Sequence, residues 1–132
     1  MPKIPERETR GHKIESDISD DVRAAIASPQ GATWRNNVGR LQDRFGNYVV
    51  YGLCNGSADL ISIQRVVLAC PSCNAELPPL GRFVAIETKT PKKEAFATQQ
   101  HWLALVNALG GVAGVAKSAD DARAILERAR RW

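Results

Sequence analysis

Gly56-Ser-Ala-Asp59-Leu-Ile-Ser-Ile63, followed after an interruption by Gly81-Arg-Phe-Val-Ala-Ile-Glu87-Thr-Lys89-Thr90, is the stretch whose reading decides the fold. Each half reads as a short apolar strand with one or two charges set into it. Strands that are apolar on both faces are buried, and a buried charge is costly unless it is paired or holds a metal. Side chains alternate along a strand, so Glu87 and Lys89 share one face, with Phe83 and Ala85 before them. Asp59 opens the preceding strand, where hairpin pairing brings its carboxylate beside Glu87. Two carboxylates and a lysine converging in this way describe a hard-cation site with a positive charge next to it. The competing reading of the same three residues is a buried salt bridge of Lys89 with Asp59 or Glu87 that sets strand register.

A chain of 132 residues with 44% apolar and 24% charged residues has the length and composition of one ordinary globular domain. No apolar run approaches the roughly 18 residues needed to span a bilayer. The first eight residues, Met1 to Glu8, lack the apolar segment of a secretory signal, so the expected location is the cytoplasm, with no membrane partner. Lys and Arg outnumber Asp and Glu by 18 to 14, a net +4 that suits a polyanionic partner and equally suits solvated helix faces. The three cysteines, Cys54, Cys70 and Cys73, are an odd count, which argues against a disulfide framework.

Along the chain, residues 1–12 are polar and proline-bearing and read as a flexible arm, leaving 13–132 as a single domain. A helix is expected over 13–27, where Ile14, Ile18, Val22, Ala25 and Ile26 form a stripe that ends at Ser28-Pro-Gln-Gly31. Glu15 lies beside this stripe in the first turn, where it either faces a site or favours the positive end of the helix. Residues 32–37 read as a short strand running into an Asn-rich turn, and 39–46 as a basic polar loop offering Arg40 and Arg44 to phosphates. Tyr48 to Tyr51 is a strand, and Gly52 to Gly56 a turn. A helix over 96–109 presents Phe96, Leu103, Val106 and Leu109 on or near one face, with Gln99 and Gln100 in its first turn and Gly110-Gly111 as its stop. Val112 to Ala116 is a buried strand. Ser118 then caps a last helix that carries Ala122, Ile125, Leu126 and Ala129 inward. This order predicts an α/β sandwich around a mixed central sheet.

Residues 66–81 form an excursion between the two charged strands, containing Cys70-Pro-Ser-Cys73. Cys-x-x-Cys is half of a zinc-binding pattern, and Zn²⁺ at Cys70 and Cys73 needs two more ligands. Cys54, His101 or the same pair from a second copy are the candidates. A redox pair and two inert thiols are the alternative readings.

Taken in order, Glu15, Trp34-Arg-Asn-Asn37, Gly52, Gly56-Ser-Ala-Asp59, Ile86-Glu-Thr-Lys89, Gln100 and Gly110-Gly111 resemble the VRR-NUC nucleases of the PD-(D/E)xK, or restriction-endonuclease-like, superfamily. The resemblance runs over about residues 13–126. It implies a restriction-endonuclease-like α/β/α sandwich and an Mg²⁺- or Mn²⁺-dependent endonuclease acting on DNA. It further implies Asp59 and Glu87 as metal-binding carboxylates, Lys89 as the motif lysine and Glu15 as the acidic residue of the first helix. Gln100 matches the glutamine of the following helix, with Gln99 the neighbouring alternative. In this chemistry the Thr88 carbonyl adds a metal ligand, and Lys89 orients or helps deprotonate the attacking water. Arg35, Asn36 and Asn37 are read either as DNA-backbone contacts or as a turn with Trp34 in the core. Lys92 and Lys93, just past the catalytic strand, are better placed for phosphates. The expected substrate is branched or Holliday-junction DNA, met in repair, recombination or phage DNA processing in a bacterial or phage-infected cell. Symmetric cutting of two strands would take a homodimer. A non-catalytic DNA-binding module with an idle site is the alternative.

Overall fold

The computed structural model describes residues 14–131, so the arm expected over 1–12 lies outside the described residues. The element order is α1 (Glu15–Ile26), β1 (Gly31–Arg35), β2 (Gly39–Gln42), β3 (Tyr48–Tyr51), β4 (Leu60–Val66), β5 (Leu80–Thr88), α2 (Ala97–Ala108), β6 (Val112–Ala116) and α3 (Ala119–Arg130). Four strands form one sheet in the order β1-β4-β5-β6. β1 and β4 pair antiparallel, as do β4 and β5, while β6 returns across α2 to lie parallel to β5. The protein is therefore a mixed α/β fold with a mixed central sheet and three described helices.

The layers follow from side-chain alternation. On one face Leu60, Val84, Ile86, Val112 and Ala116 pack under Ile18, Val22 and Ile26 of α1 and Ala122, Ile125, Leu126 and Ala129 of α3. The α3 residues recur at three- and four-residue spacing, so a single stripe covers the sheet. Ser118 caps this helix by accepting a hydrogen bond from the Asp121 N–H, as its sequence predicts. On the opposite face Ala85 and Ala113, with Ala58, receive Leu103 and Val106 of α2. Small residues on the sheet are what let α2 approach this side.

α2 covers only part of that face. Trp34 and Ile63, towards the β1 edge, stay 50% and 49% exposed, so Trp34 is a surface residue, against the alternative that placed it in the core. Phe96 and Leu109, read as part of the apolar face of the second helix, stand at its two ends and are also exposed.

The basic loop expected over 39–46 is half strand. Gly39–Gln42 forms β2, which pairs antiparallel with β3 as a separate two-stranded ribbon. Its turn is closed by Asp43, whose Oδ1 accepts from the Phe45 and Asn47 N–H groups at 2.8 Å each. These bonds hold the Asp43 carboxyl below the usual carboxylate range, the Asn47 N–H contributing most.

Candidate metal centre

Pairing of Leu60 with Ile86 sets the next residues of the two strands, Asp59 and Glu87, at the same end of the hairpin. Asp59 is fixed there by β5 itself. Its Oδ2 accepts from the Thr88 N–H at 3.0 Å and from the Thr88 hydroxyl at 2.8 Å. Its carbonyl accepts from the Asn36 N–H at 2.7 Å. The approach to Asp59 turns at Gly56, which has φ +84, and a Cβ there would stand 2.8 Å from the Thr98 carbonyl oxygen of α2. A side chain is excluded on both counts.

Glu87 lies fully buried on the α2 side of the sheet. Its Oε1 accepts from Lys89 Nζ at 3.0 Å and from Gln99 Nε2. Gln99 is held in turn because its Oε1 accepts from the Phe96 N–H at 2.8 Å, a first-turn bond that closes the start of α2. Lys89, 4% exposed, also reaches Glu15 Oε1 at 3.2 Å, and the Phe96 ring covers its ammonium at 5.1 Å. Glu15 comes from the first turn of α1. Its carboxylate is committed to this cluster, while Asp17 accepts from the Ile14 N–H at the helix start.

Burial pushes the Glu87 carboxyl up to about 7; the Lys89 hydrogen bond opposes this, and the nearby Asp59 charge adds to it. Burial by itself would lower the Lys89 ammonium. The hydrogen bond and charge of Glu87, then those of Glu15, outweigh burial and raise it above the ordinary lysine value.

Ligand oxygens of Glu15, Asp59 and Glu87 lie within 4.8 Å of one another. Glu87 Oε2 is buried without a hydrogen-bond partner. Because Oε1 already takes Lys89 and Gln99, the orphaned Oε2 is the oxygen left for a cation, and an oxygen-only set of this kind suits a hard one. The residues therefore fit a bound Mg²⁺ or Mn²⁺. Beside them opens a cleft of about 550 Å³ bordered by Glu15, Asp59, Thr88, Arg35, Asn37 and Tyr51.

Of the site residues named from sequence, Glu15, Asp59, Glu87 and Lys89 converge. Thr88 joins them through its N–H and hydroxyl, both given to Asp59. Gln100 does not: its amide donates to the Ala95 carbonyl at 2.7 Å, and Gln99 faces Glu87 instead. Successive helix residues are turned about 100° apart, so only one of the two can point at the strand. Asn36 borders the same cleft, with its amide bonded inward. It is 8% exposed, donates to Ser57 Oγ and the Ala58 carbonyl at 2.8 Å each, and accepts from the Leu53 N–H at 3.1 Å. It latches the loop before Asp59, and its amide is spent on the protein interior rather than on a ligand. Arg35 borders the cleft with an ion pair to Asp20 at 3.4 Å, and Asn37 is exposed there. Lys92 and Lys93 are exposed in the turn after β5. Arg40 and Arg44 stand on the ribbon, stacked over Tyr48 and Phe45.

Cys70 and Cys73 lie in the loop beyond β4, as the excursion predicts. Neither Cys54 nor His101 joins them: among the described residues no cluster of three or more His, Cys, Asp or Glu includes either cysteine. Phe96 and the Ser57–Asn36 latch escaped sequence reading. The spacing from Phe96 to Gln99 matches a helix start and its third residue, which marks the closing bond but not which glutamine turns to the strand.

Comparison of the chain with protein-family models, with curated proteins and with solved structures returned no match. Among the described residues no helix is long and apolar enough to cross a membrane.

Proposed function

We propose that this chain is a divalent-metal-dependent endonuclease with a restriction-endonuclease-like core, hydrolysing phosphodiester bonds in DNA. The observation that carries this reading is the convergence of Glu15, Asp59 and Glu87, whose ligand oxygens lie within 4.8 Å of one another, with Lys89 paired to Glu87 and Oε2 of buried Glu87 left without a hydrogen-bond partner. An unpaired buried acceptor costs about 1–3 kcal/mol, a cost that a cation on Oε2 would remove.

Glu15, Asp59 and Glu87 would hold Mg²⁺ or Mn²⁺. When bound there, the cation supplies Lewis-acid polarisation of the scissile phosphate and a more acidic water. Lys89, paired with Glu87 at 3.0 Å and Glu15 at 3.2 Å, stands beside the cation position as a donor and positive charge. It orients the attacking water and offsets charge that builds on the phosphate oxygens. Gln99 locks Glu87 Oε1 and thereby aims Oε2. Thr88 does the same for Asp59. Branched or Holliday-junction DNA is the substrate class in this reading.

The test is cleavage of labelled junction, flap, single-stranded and linear duplex DNA with Mg²⁺ or Mn²⁺, alongside Lys89→Ala. The variant is expected to fold and to cut at least about a hundredfold more slowly, the size of a lost oxyanion-type donor. Undiminished cutting by that variant would refute the assignment. Binding without cutting under either metal would leave a DNA-binding module with an idle site.

A further inference from the structure

The loop joining β4 to β5, residues 67–79, takes no part in the metal centre. β4 starts next to Asp59, and its seven residues at about 3.3 Å each carry the chain about 23 Å away before the loop begins. The loop is ordered by its own backbone. Ala69 pairs with Glu76, the Cys70 N–H donates to the Ala75 carbonyl, and the Asn74 N–H donates to the Cys70 carbonyl, both at 2.8 Å. Asn74 reverses the chain at φ 57, directly after the second cysteine. The outcome is a knuckle carrying two cysteines three residues apart. Backbone N–H groups of Cys73 and Ser72 are directed at the Cys70 sulfur.

Cysteine usually serves as a small buried hydrophobe. These two do not, because Cys73 is exposed and Cys70 half-buried. Two thiolates supply half of the tetrahedral set that structural zinc takes. The other half is absent nearby among the described residues. Cys54 precedes β4 at the Asp59 end, and His101 follows Gln99 at the start of α2, against Glu87. Among the described residues no further ligand stands beside the pair, and a two-fold axis through the knuckle supplies an identical pair from a second copy.

The surroundings suit a second copy. Val67, Leu77 and Leu80 flank the knuckle with 49%, 39% and 46% exposure. Leu80 and Pro79 border one depression with Trp34 and Ile63, on the part of the sheet that α2 leaves open. Exposed apolar side chains beside a half-filled ligand set, with Arg65 and Gln30 at the same depression, are what an isologous contact would cover.

We propose that Cys70 and Cys73 form half of a four-thiolate Zn²⁺ site completed by the same pair from a second copy of this chain. The apolar surface around Leu80, Trp34 and Ile63 is covered in that contact. Each bound thiol releases its proton to solvent, up to four per ion.

The experiment measures metal content by mass spectrometry and molar mass by light scattering, on reduced protein purified without chelator and then titrated with Zn²⁺. Expected are one ion per two chains and a doubled mass that chelator returns to that of a single chain. Cys70→Ser and Cys73→Ser each abolish both effects, while Cys54→Ser retains both. Zinc-saturated protein at single-chain mass, a doubled mass that survives chelator or Cys73→Ser, or no retained zinc would each overturn the proposal. None of these readouts depends on cleavage, so the inference stands or falls separately from the nuclease reading.

Discussion

Glu87 places a carboxyl group where it has no exposed surface, and its behaviour with pH follows from that. In the metal-free fold its carboxyl is raised from 4.5 to about 7. Between those values the folded chain holds more protons than the unfolded one, so stability falls as pH rises. The contribution is fully present below about pH 4.5 and lost above about pH 7, a change of about 3 kcal/mol at about 1.4 kcal/mol per unit. Denaturant unfolding in chelator at pH 5 and pH 8 is expected to show this difference in the wild type and not in Glu87→Gln. Equal pH dependence in the two would mean that Glu87 is not the strained group. Adding Mg²⁺ at pH 8 should restore stability to the wild type more than to the variant. A second prediction separates the two glutamines. Gln99→Ala should lower metal affinity or cleavage about 10- to 100-fold, as removal of a partner behind a metal ligand does, with Gln100→Ala near wild type. The opposite ranking in a metal titration would return the role to Gln100. Asp59, Glu87 and Lys89 were legible from alternation and pairing, because both are properties of neighbouring residues. Glu15 was not: taken alone it is an acid at a helix start, and its meeting with Lys89 spans 74 residues.

Among the elements, the β2–β3 ribbon stands apart. Its strands pair only with each other, and Leu41, Tyr48, Val49, Val50 and Tyr51 all remain exposed. A lone two-stranded hairpin is marginally stable, so the ribbon is expected to open well below the energy of global unfolding. Hydrogen exchange read by mass spectrometry should show Gly39–Tyr51 exchanging far faster than Val84–Thr88 in β5. Matched protection of the two segments would show that the ribbon is held by more than its own pairing. Sequence reading missed β2 because Gly39, Asp43 and Gly46 mark turns, while Arg40-Leu41-Gln42 is too short to display alternation. It becomes a strand by virtue of its partner. α1 and α3 were readable for the contrary reason, since each writes its buried stripe within its own residues.

For the whole molecule, the net charge of +4 acquires meaning only from where the cations stand. Lys92 and Lys93 are exposed in the turn leading from β5 to α2, at the end of the sheet that holds the carboxylates. If they meet phosphates alone, replacing both with alanine should weaken binding alike across DNA sequences. The slope of log affinity against log salt should also fall by about 0.9 for each duplex phosphate that is no longer neutralised. A salt titration with two unrelated duplexes checks this, and a changed sequence preference would count against it.

By itself the sequence determined the α/β class, the three described helices, the central strand β5 and the meeting of Asp59 with Glu87. Periodicity and strand pairing are written in residues close to one another, so they survive without knowledge of the rest. Tertiary structure alone decided that Gln99 faces Glu87 while Gln100 does not, that Asn36 turns inward to latch a loop, and that Trp34 lies on open surface. Each of these depends on the rotation of a helix or on how much of the sheet that helix covers, and neither quantity is recorded in any local pattern.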